Sequence, residues 1–196
     1  LRQYLAAQPI HPASMAFRPG YSVATHARRH LGQELVLTAD LADFFESTSA
    51  DRVRAWFRTQ NWCGRSLAVL MRLCVYQGHL PQGAPTSPML SNLVNYDLDA
   101  VLSKLATFHG GRYSRYCDDL AFSWPTTSEP PTFRIEVEDR LHQFGYQIQA
   151  FKGWRRAEAS ERPELTGVEL DGHRLRPAQP IRRRMRPLGG WFRILT

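Results

Sequence analysis

Lysine is almost missing from this sequence: Lys104 and Lys152 are the only two, so nearly all of the 25 basic residues are arginines. Guanidinium groups suit bidentate contact with phosphate, so the bias fits a polyanionic partner, with codon usage in a GC-rich genome as the plainer alternative. Cysteine is scarce too. Cys63, Cys74 and Cys117 are odd in number and form no C-x-x-C pair, which argues against a disulfide framework or a zinc site and fits a reducing cytoplasm. No run approaches the roughly 18 unbroken apolar residues of a membrane span, and the first residues lack a signal-peptide pattern, so a cytoplasmic chain with no membrane partner is expected. Internal repeats and low-complexity tracts are also missing.

What is present suffices for one core. The chain has 196 residues, 43% of them hydrophobic, the size and apolar content of a single ordinary domain. Its formal charge of +7 is unevenly placed: Phe151 to Thr196 carries eleven Lys or Arg against five acids, and Leu1 to Ala150 fourteen against thirteen. The C-terminal quarter is therefore the expected polyanion-binding part.

Local patterns predict helices and short strands in alternation. Leu1 to Leu5 ends a helix, the proline-broken stretch from Pro9 to Pro19 is a loop, and Ser22 can cap a helix through His30. Glu34 to Ala39 reads as a buried strand that delivers Asp40 at its end. Asp51 can cap a helix to Gln60, Ser66 one to Tyr76, and Ser87 with Pro88 one that runs to about Ala106. Arg112 to Tyr116 and Leu120 to Ser123 predict a hairpin with Cys117, Asp118 and Asp119 at its tip. A helix from Thr132 to Phe144, stopped by Gly145, precedes expected strands at Gln147 to Phe151 and Leu165 to Leu170. The order predicts an α+β fold, an antiparallel sheet with helices on one face.

The chemistry concentrates in two acidic segments, D-L-A-D-F-F at Asp40 to Phe45 and Y-C-D-D at Tyr116 to Asp119. Phosphoryl transfer from a nucleoside triphosphate needs carboxylate oxygens to hold hard cations, and two or three acids must converge for that. Within the second segment Asp118 is the first candidate ligand, with Asp119 supporting or sharing the site. An isolated pair of aspartates would more simply be a turn.

The third segment changes the weighing: Leu80-Pro81-Gln82-Gly83-Ala84-Pro85-Thr86-Ser87-Pro88, followed by Ser91 and Asn92. With it the chain resembles the bacterial reverse transcriptase family of retron and group II intron type, whose D-x-x-D-F-F, L-P-Q-G-x-x-x-S-P and Y-x-D-D motifs occur here in order. The resemblance implies a polymerase palm and an RNA-directed DNA polymerase that uses two Mg2+ ions, with Mn2+ as a substitute. It implies Asp40, Asp118 and Asp119 as catalytic metal ligands with the backbone of Leu41 beside them, and Phe45 as the steric gate against a ribose 2′-hydroxyl. It further implies Leu41, Asp43 and Phe44 at the triphosphate, Gln82 and Gly83 at the nucleotide and template, and Lys152 as general acid near the leaving pyrophosphate. Leu165 to Val168 resembles the hairpin that grips the primer end. The expected division is a partial fingers segment over 1–35, a palm over 36–180, and the start of a thumb or a basic tail over 181–196, with truncated fingers and no complete thumb. Implied partners are an RNA template, a DNA or RNA primer, a deoxynucleoside triphosphate, a structured non-coding RNA and a further protein subunit. By the same resemblance, retron-type relatives act in phage defence. Two alternatives stay open: a palm-type nucleotidyl enzyme such as a nucleotide cyclase, and a non-catalytic RNA-binding or scaffold subunit.

Overall fold

The computed structural model describes residues 1–179; the expected thumb or tail at 181–196, with its arginine run Arg182 to Arg186, lies outside the described residues. The chain opens with helices α1 (Arg2–Ala6) and α2 (Val23–Arg28) and then enters strand β1 (Leu35–Asp40). Four helices follow: α3 (Ala50–Thr59), α4 (Gly64–Cys74), α5 (Ser87–Val94) and α6 (Tyr96–Phe108). The hairpin β2 (Arg112–Tyr116) and β3 (Asp119–Trp124) leads to α7 (Phe133–Gln143) and β4 (Arg155–Glu158). Three short strands, β5 (Glu164–Leu165), β6 (Val168–Asp171) and β7 (Arg174–Pro177), complete the described chain. Among the described residues no helix is long and apolar enough to cross a membrane.

Among the described residues two antiparallel sheets result, a main one in the order β2-β3-β1-β4 and a small one in the order β5-β6-β7. Side-chain alternation sorts the main sheet. Leu35 and Leu37 of β1, with Phe122 and Trp124 of β3, pack on Leu98 and Leu102 of α6 and Val137 and Leu141 of α7. Val36 and Ala121 turn to the other face and meet Ala27 of α2 and Leu165, Val168 and Leu170 of the small sheet. Helices α6 and α7 therefore cover one face, as the α+β expectation requires, while α2 and a β-hairpin cover part of the other. A second apolar cluster joins α1, α3, α4 and α5 through Leu5, Val53, Phe57, Leu67, Leu70, Leu80 and Leu90. Burying one such leucine stabilises by about 1.5–3 kcal/mol, which explains how helices of this length hold together.

Several boundaries differ from expectation, each for a local reason. Ser49, not Asp51, caps α3, its hydroxyl accepting from Arg52 N, and Asp51 instead pairs with Arg54 in the first turn. Helix α4 begins at Gly64 after Cys63 rather than at Ser66. The expected helix from Ser87 to Ala106 is two, because Asn95 breaks it: its side-chain amide donates to the Ser91 carbonyl at 2.8 Å and to the Tyr146 hydroxyl at 2.9 Å, competing with helical bonding. Ser87 does not cap α5; its hydroxyl donates to the Pro81 carbonyl at 2.7 Å. Gln147 to Phe151 touches the end of β1 through the single bridge Leu41 to Ile148 and then turns, and the strand that continues this edge is the polar β4. Leu165 to Leu170 is not one strand but parts of two, folded about Thr166 and Gly167.

The buried His30 joins α2 to the hairpin, with Nδ1 2.7 Å from Ser123 Oγ and Nε2 2.7 Å from Ser114 Oγ. Burial holds it well below its ordinary pKa, and burial likewise takes His26 down to about 4. Both rings are neutral in the folded chain, whereas the unfolded chain takes up protons below about pH 6.5. Folding stability contributed by these rings is thus present above pH 6.5 and lost as pH falls toward 4, about 3 kcal/mol for His26 alone. The fall in urea midpoint from pH 7 to pH 5 should be smaller for His26→Phe than for the unaltered chain, and an equal fall would contradict a titrating role for His26.

Candidate active site

The register of the main sheet brings the two acidic segments together. Asp40, the last residue of β1, is the direct cross-strand partner of Asp119, the first of β3, so both side chains leave the same face. That face also carries Val36 and Ala121, opposite α6 and α7. Each carboxyl group shifts the proton affinity of the other. Burial, then the Asp40 carboxyl, then the charge of Asp118 push the Asp119 carboxyl up to about 7, against donation from Thr166. Burial also opposes ionisation of Asp40, but hydrogen bonds to Asp119 and Lys152 and the charge of Arg155 outweigh it and hold Asp40 below the usual carboxylate range.

Asp118 sits in the hairpin turn, with its carbonyl accepting from Leu41 N at 2.9 Å, so the turn is pinned to the chain just after Asp40. Cys117 before it is left-handed, with φ of 60°, and Arg115 Nη1 donates to its carbonyl at 2.9 Å. Burial and the adjacent Asp118 carboxylate push the Cys117 thiol up to about 12. Among the described residues no group of three or more His, Cys, Asp or Glu side chains is gathered to hold a metal ion. The structure therefore brings Asp40 and Asp119 into contact, while Asp118 acts on Asp119 through its charge from the turn.

Among the described residues two basic side chains reach Asp40. After α7, residues 147–149 run along the end of β1, with Ala42 N donating to Gln147 O and Gln149 N to Asp40 O, both at 2.8 Å. The following turn swings Lys152 back, so that its Nζ lies 2.9 Å from Asp40 Oδ1, and Arg155 at the start of β4 lies 3.4 Å from Asp40 Oδ2. Both side chains are more than half exposed, at 55% and 57%, so either can turn outward without a large desolvation change.

Beyond Asp40 the chain enters tight turns. Leu41 and Phe44 are buried; Asp43 is exposed and left-handed, with φ of 43°. Phe44 stacks on Tyr146, and half-buried Phe45 is braced by Phe44 and by Phe17, with ring centroids 5.3 and 6.4 Å apart. Gln82 and Gly83 are exposed in the loop before α5, and among the described residues neither hydrogen-bonds to the carboxylate pair. Three participants were not anticipated from the sequence in these positions: Arg155, Thr166 and His26. Thr166 donates to Asp119 Oδ2 at 3.1 Å, and His26 Nδ1 lies 3.2 Å from the Thr166 hydroxyl. A pairing of β4 with β1 would have exposed Arg155, but its Arg-Arg-Ala-Glu sequence carries no strand signal; Thr166 and His26 meet only through tertiary packing.

The family model described as reverse transcriptase (RNA-dependent DNA polymerase) matches residues 1–155. The chain is 37% identical over 123 residues to the Retron Ec86 reverse transcriptase of Escherichia coli, covering 63% of this chain and 38% of the relative. It is 31% identical over 191 residues to the Retron Mx162 reverse transcriptase of Myxococcus xanthus, covering 83% of this chain and 39% of the relative. It thus spans about two fifths of the length of these relatives. Among solved structures it resembles telomerase from Candida albicans in complex with a fragment of telomeric RNA, with a TM-score of 0.63 at 9% identity over 90% of this chain and 38% of that one. At that identity the likeness is one of fold: a polymerase palm.

The crowding of acids around Asp119 has a measurable consequence. Asparagine there keeps the shape, can donate to Asp40 and can accept from Thr166, while removing one charge from the cluster. In a chelating buffer at pH 8 the Asp119→Asn variant should melt above the unaltered chain, as followed by circular dichroism. A lower melting temperature would show that the ionised carboxylate is not crowded.

Proposed function

Because the chain belongs to the reverse transcriptase family, we propose that the Asp40 and Asp119 pair, with Asp118 beside it, is the catalytic carboxylate set of an RNA-directed DNA polymerase core. The core adds deoxynucleotides to a primer on an RNA template. One observation carries the reading: the cross-strand register that sets Asp40 against Asp119 beside the Asp118 turn. Carboxylates are hard oxygen donors, and acids crowded this closely favour a compensating cation, so the residues fit Mg2+ or Mn2+. Asp40, Asp118 and Asp119 would hold it, with the main chain of Leu41 next to them. When bound, such ions supply the positive charge that neutralises a triphosphate and acidifies a primer 3′-hydroxyl.

The remaining residues bind, orient and move protons. The Asp40 carboxylate, by hydrogen bond and charge, raises the pKa of Lys152 and keeps it protonated, the form a donor to the leaving pyrophosphate requires. Asp43 and Phe44 stand on the triphosphate side and Gln82 and Gly83 on the nucleotide and template side. Phe45, braced by two neighbouring rings, places an aromatic edge where a 2′-hydroxyl would clash. Residues 1–35 then serve as part of the fingers and 36–180 as the palm. Likeness to the retron enzymes supports that lineage and a structured non-coding RNA as partner. The ion pairs that engage Asp40 favour one other reading, an RNA-binding subunit in which the carboxylate is only a structural contact.

Primer extension on an RNA template separates the two. Asp118→Asn should reduce Mg2+-dependent incorporation by more than about 100-fold, since loss of a direct ligand exceeds the usual cost of losing an outer-shell partner; an unchanged rate would remove Asp118 from the catalytic set, and no incorporation by the unaltered chain would leave the subunit reading. Phe45→Ala should raise ribonucleotide incorporation relative to deoxynucleotide, measured as the ratio of kcat/KM values. No change in that ratio would remove Phe45 from sugar selection.

A further inference from the structure

The turn between β5 and β6 holds a residue that its own backbone disfavours. Thr166 is left-handed, with φ of 47°, and Gly167 follows with φ of 81°. Two successive positive φ values at the centre of a two-residue hairpin loop suit Asn-Gly or Gly-Gly, and a β-branched residue there is a genuine outlier. A strained residue persists where its side chain does something that a relaxed one would not. The Thr166 hydroxyl donates to Asp119 Oδ2 at 3.1 Å. Its proton being committed to that carboxylate, the oxygen accepts from His26 Nδ1 at 3.2 Å.

His26 is suited to that task. Its ring is 1% exposed and stacks on Tyr116, with centroids 5.7 Å apart and planes 12° from parallel. With the Thr166 proton committed to Asp119, Nδ1 carries the ring proton, and Nε2, buried with no hydrogen-bond partner among the described residues, holds the lone pair. The stack fixes the ring, the ring fixes the Thr166 hydroxyl, and the hydroxyl fixes one carboxylate oxygen of Asp119.

We propose that Thr166 is the positioning residue for Asp119, and that His26 orients it, so that the small hairpin and α2 together set the direction of a carboxylate on the main sheet. This rests on Asp119 belonging to the catalytic set and adds a requirement to that reading. The hairpin then does more than lie beside the primer: any movement of its tip is transmitted to the acid.

Three variants test it. Thr166→Gly relaxes the backbone and deletes the hydroxyl; Thr166→Ser keeps the hydroxyl; His26→Phe keeps the ring stack but removes Nδ1–H. Thr166→Gly should melt at or above the unaltered chain in chelating buffer. It should nevertheless bind Mn2+, measured by calorimetry, on the order of 10-fold more weakly and extend primers on the order of 10- to 100-fold more slowly, as loss of a hydrogen bond to a charged group implies. Thr166→Ser should restore both within a few-fold, and His26→Phe should show a smaller loss in the same direction. Mn2+ affinity and extension equal to the unaltered chain in Thr166→Gly would overturn the proposal, as would Thr166→Ser being as impaired as Thr166→Gly. If instead the unaltered chain extends no primer while its Mn2+ affinity follows the hydroxyl, the positioning role stands and the polymerase reading falls.

Discussion

The buried ion pair between Arg115 and Asp99 is the constraint on which the site depends. Both side chains are fully inaccessible, with Arg115 Nε and Nη2 on the two carboxylate oxygens of Asp99 at 2.8 and 2.7 Å. Burial disfavours the charge on Arg115, and Asp99 more than offsets it. Tyr113 donates to the same carboxylate at 2.8 Å, so α6 is bonded to two residues of β2 at once. Removing one member of such a pair costs about 3–5 kcal/mol, because the other charge is left buried and alone. Its second consequence is local: the remaining Arg115 nitrogen donates to the Cys117 carbonyl and fixes the tight turn that carries Asp118. Stability of the sheet and placement of the turn therefore come from one guanidinium.

The period-two alternation of strands does the rest. Odd positions of β1 and even positions of β3 fill the core under α6 and α7, which obliges Asp40 and Asp119 to emerge together on the other face. A slip of one residue in the pairing of β1 with β3 would bury one acid among leucines and phenylalanines. The apolar core thus enforces the register of the acids far more strongly than any contact the acids make with each other. The polar residues on their own face, Ser114 and Ser123 bonded to His30, add a second lock on the same register.

Much of this was legible in the sequence because apolar periodicity and turn residues report backbone geometry directly. The strand that delivers Asp40, the hairpin of Tyr116 and Asp119, and α7 with its stop at Gly145 all follow from such signals. The failures share a different cause. Strand β4 is an edge with little buried surface, so its sequence carries no hydrophobic alternation, and its partner β1 alone defines it. The break at Asn95 depends on Arg52 and Tyr146, 43 and 51 residues away in sequence. The engagement of Asp40 by Lys152 and Arg155 spans more than a hundred positions and leaves no local mark. Recognition of the ordered motifs supplied the candidate acids; only packing supplied what orients them.

Part of the backbone strain lies in the segments that carry the acidic pair. Of the seven described non-glycine residues with positive φ, Phe17, Asp43, Cys117 and Thr166 lie in the segments around the acidic pair or against the ring of Phe45, and Asn61, Gln77 and Arg162 lie in turns elsewhere. Each disfavoured conformation costs of order 1–3 kcal/mol and must be offset by the surrounding fold. The offset comes from neighbours with large buried surface or buried charge: Arg115 behind Cys117, the Phe44 and Tyr146 stack behind Asp43, His26 behind Thr166. A sequence selected for stability alone would place Gly or Asn at these turns and would not set Asp119 against Asp40 with Asp118 in the adjoining turn. This chain does neither, and the rigidity of the sheet beneath the acids opposes their repulsion.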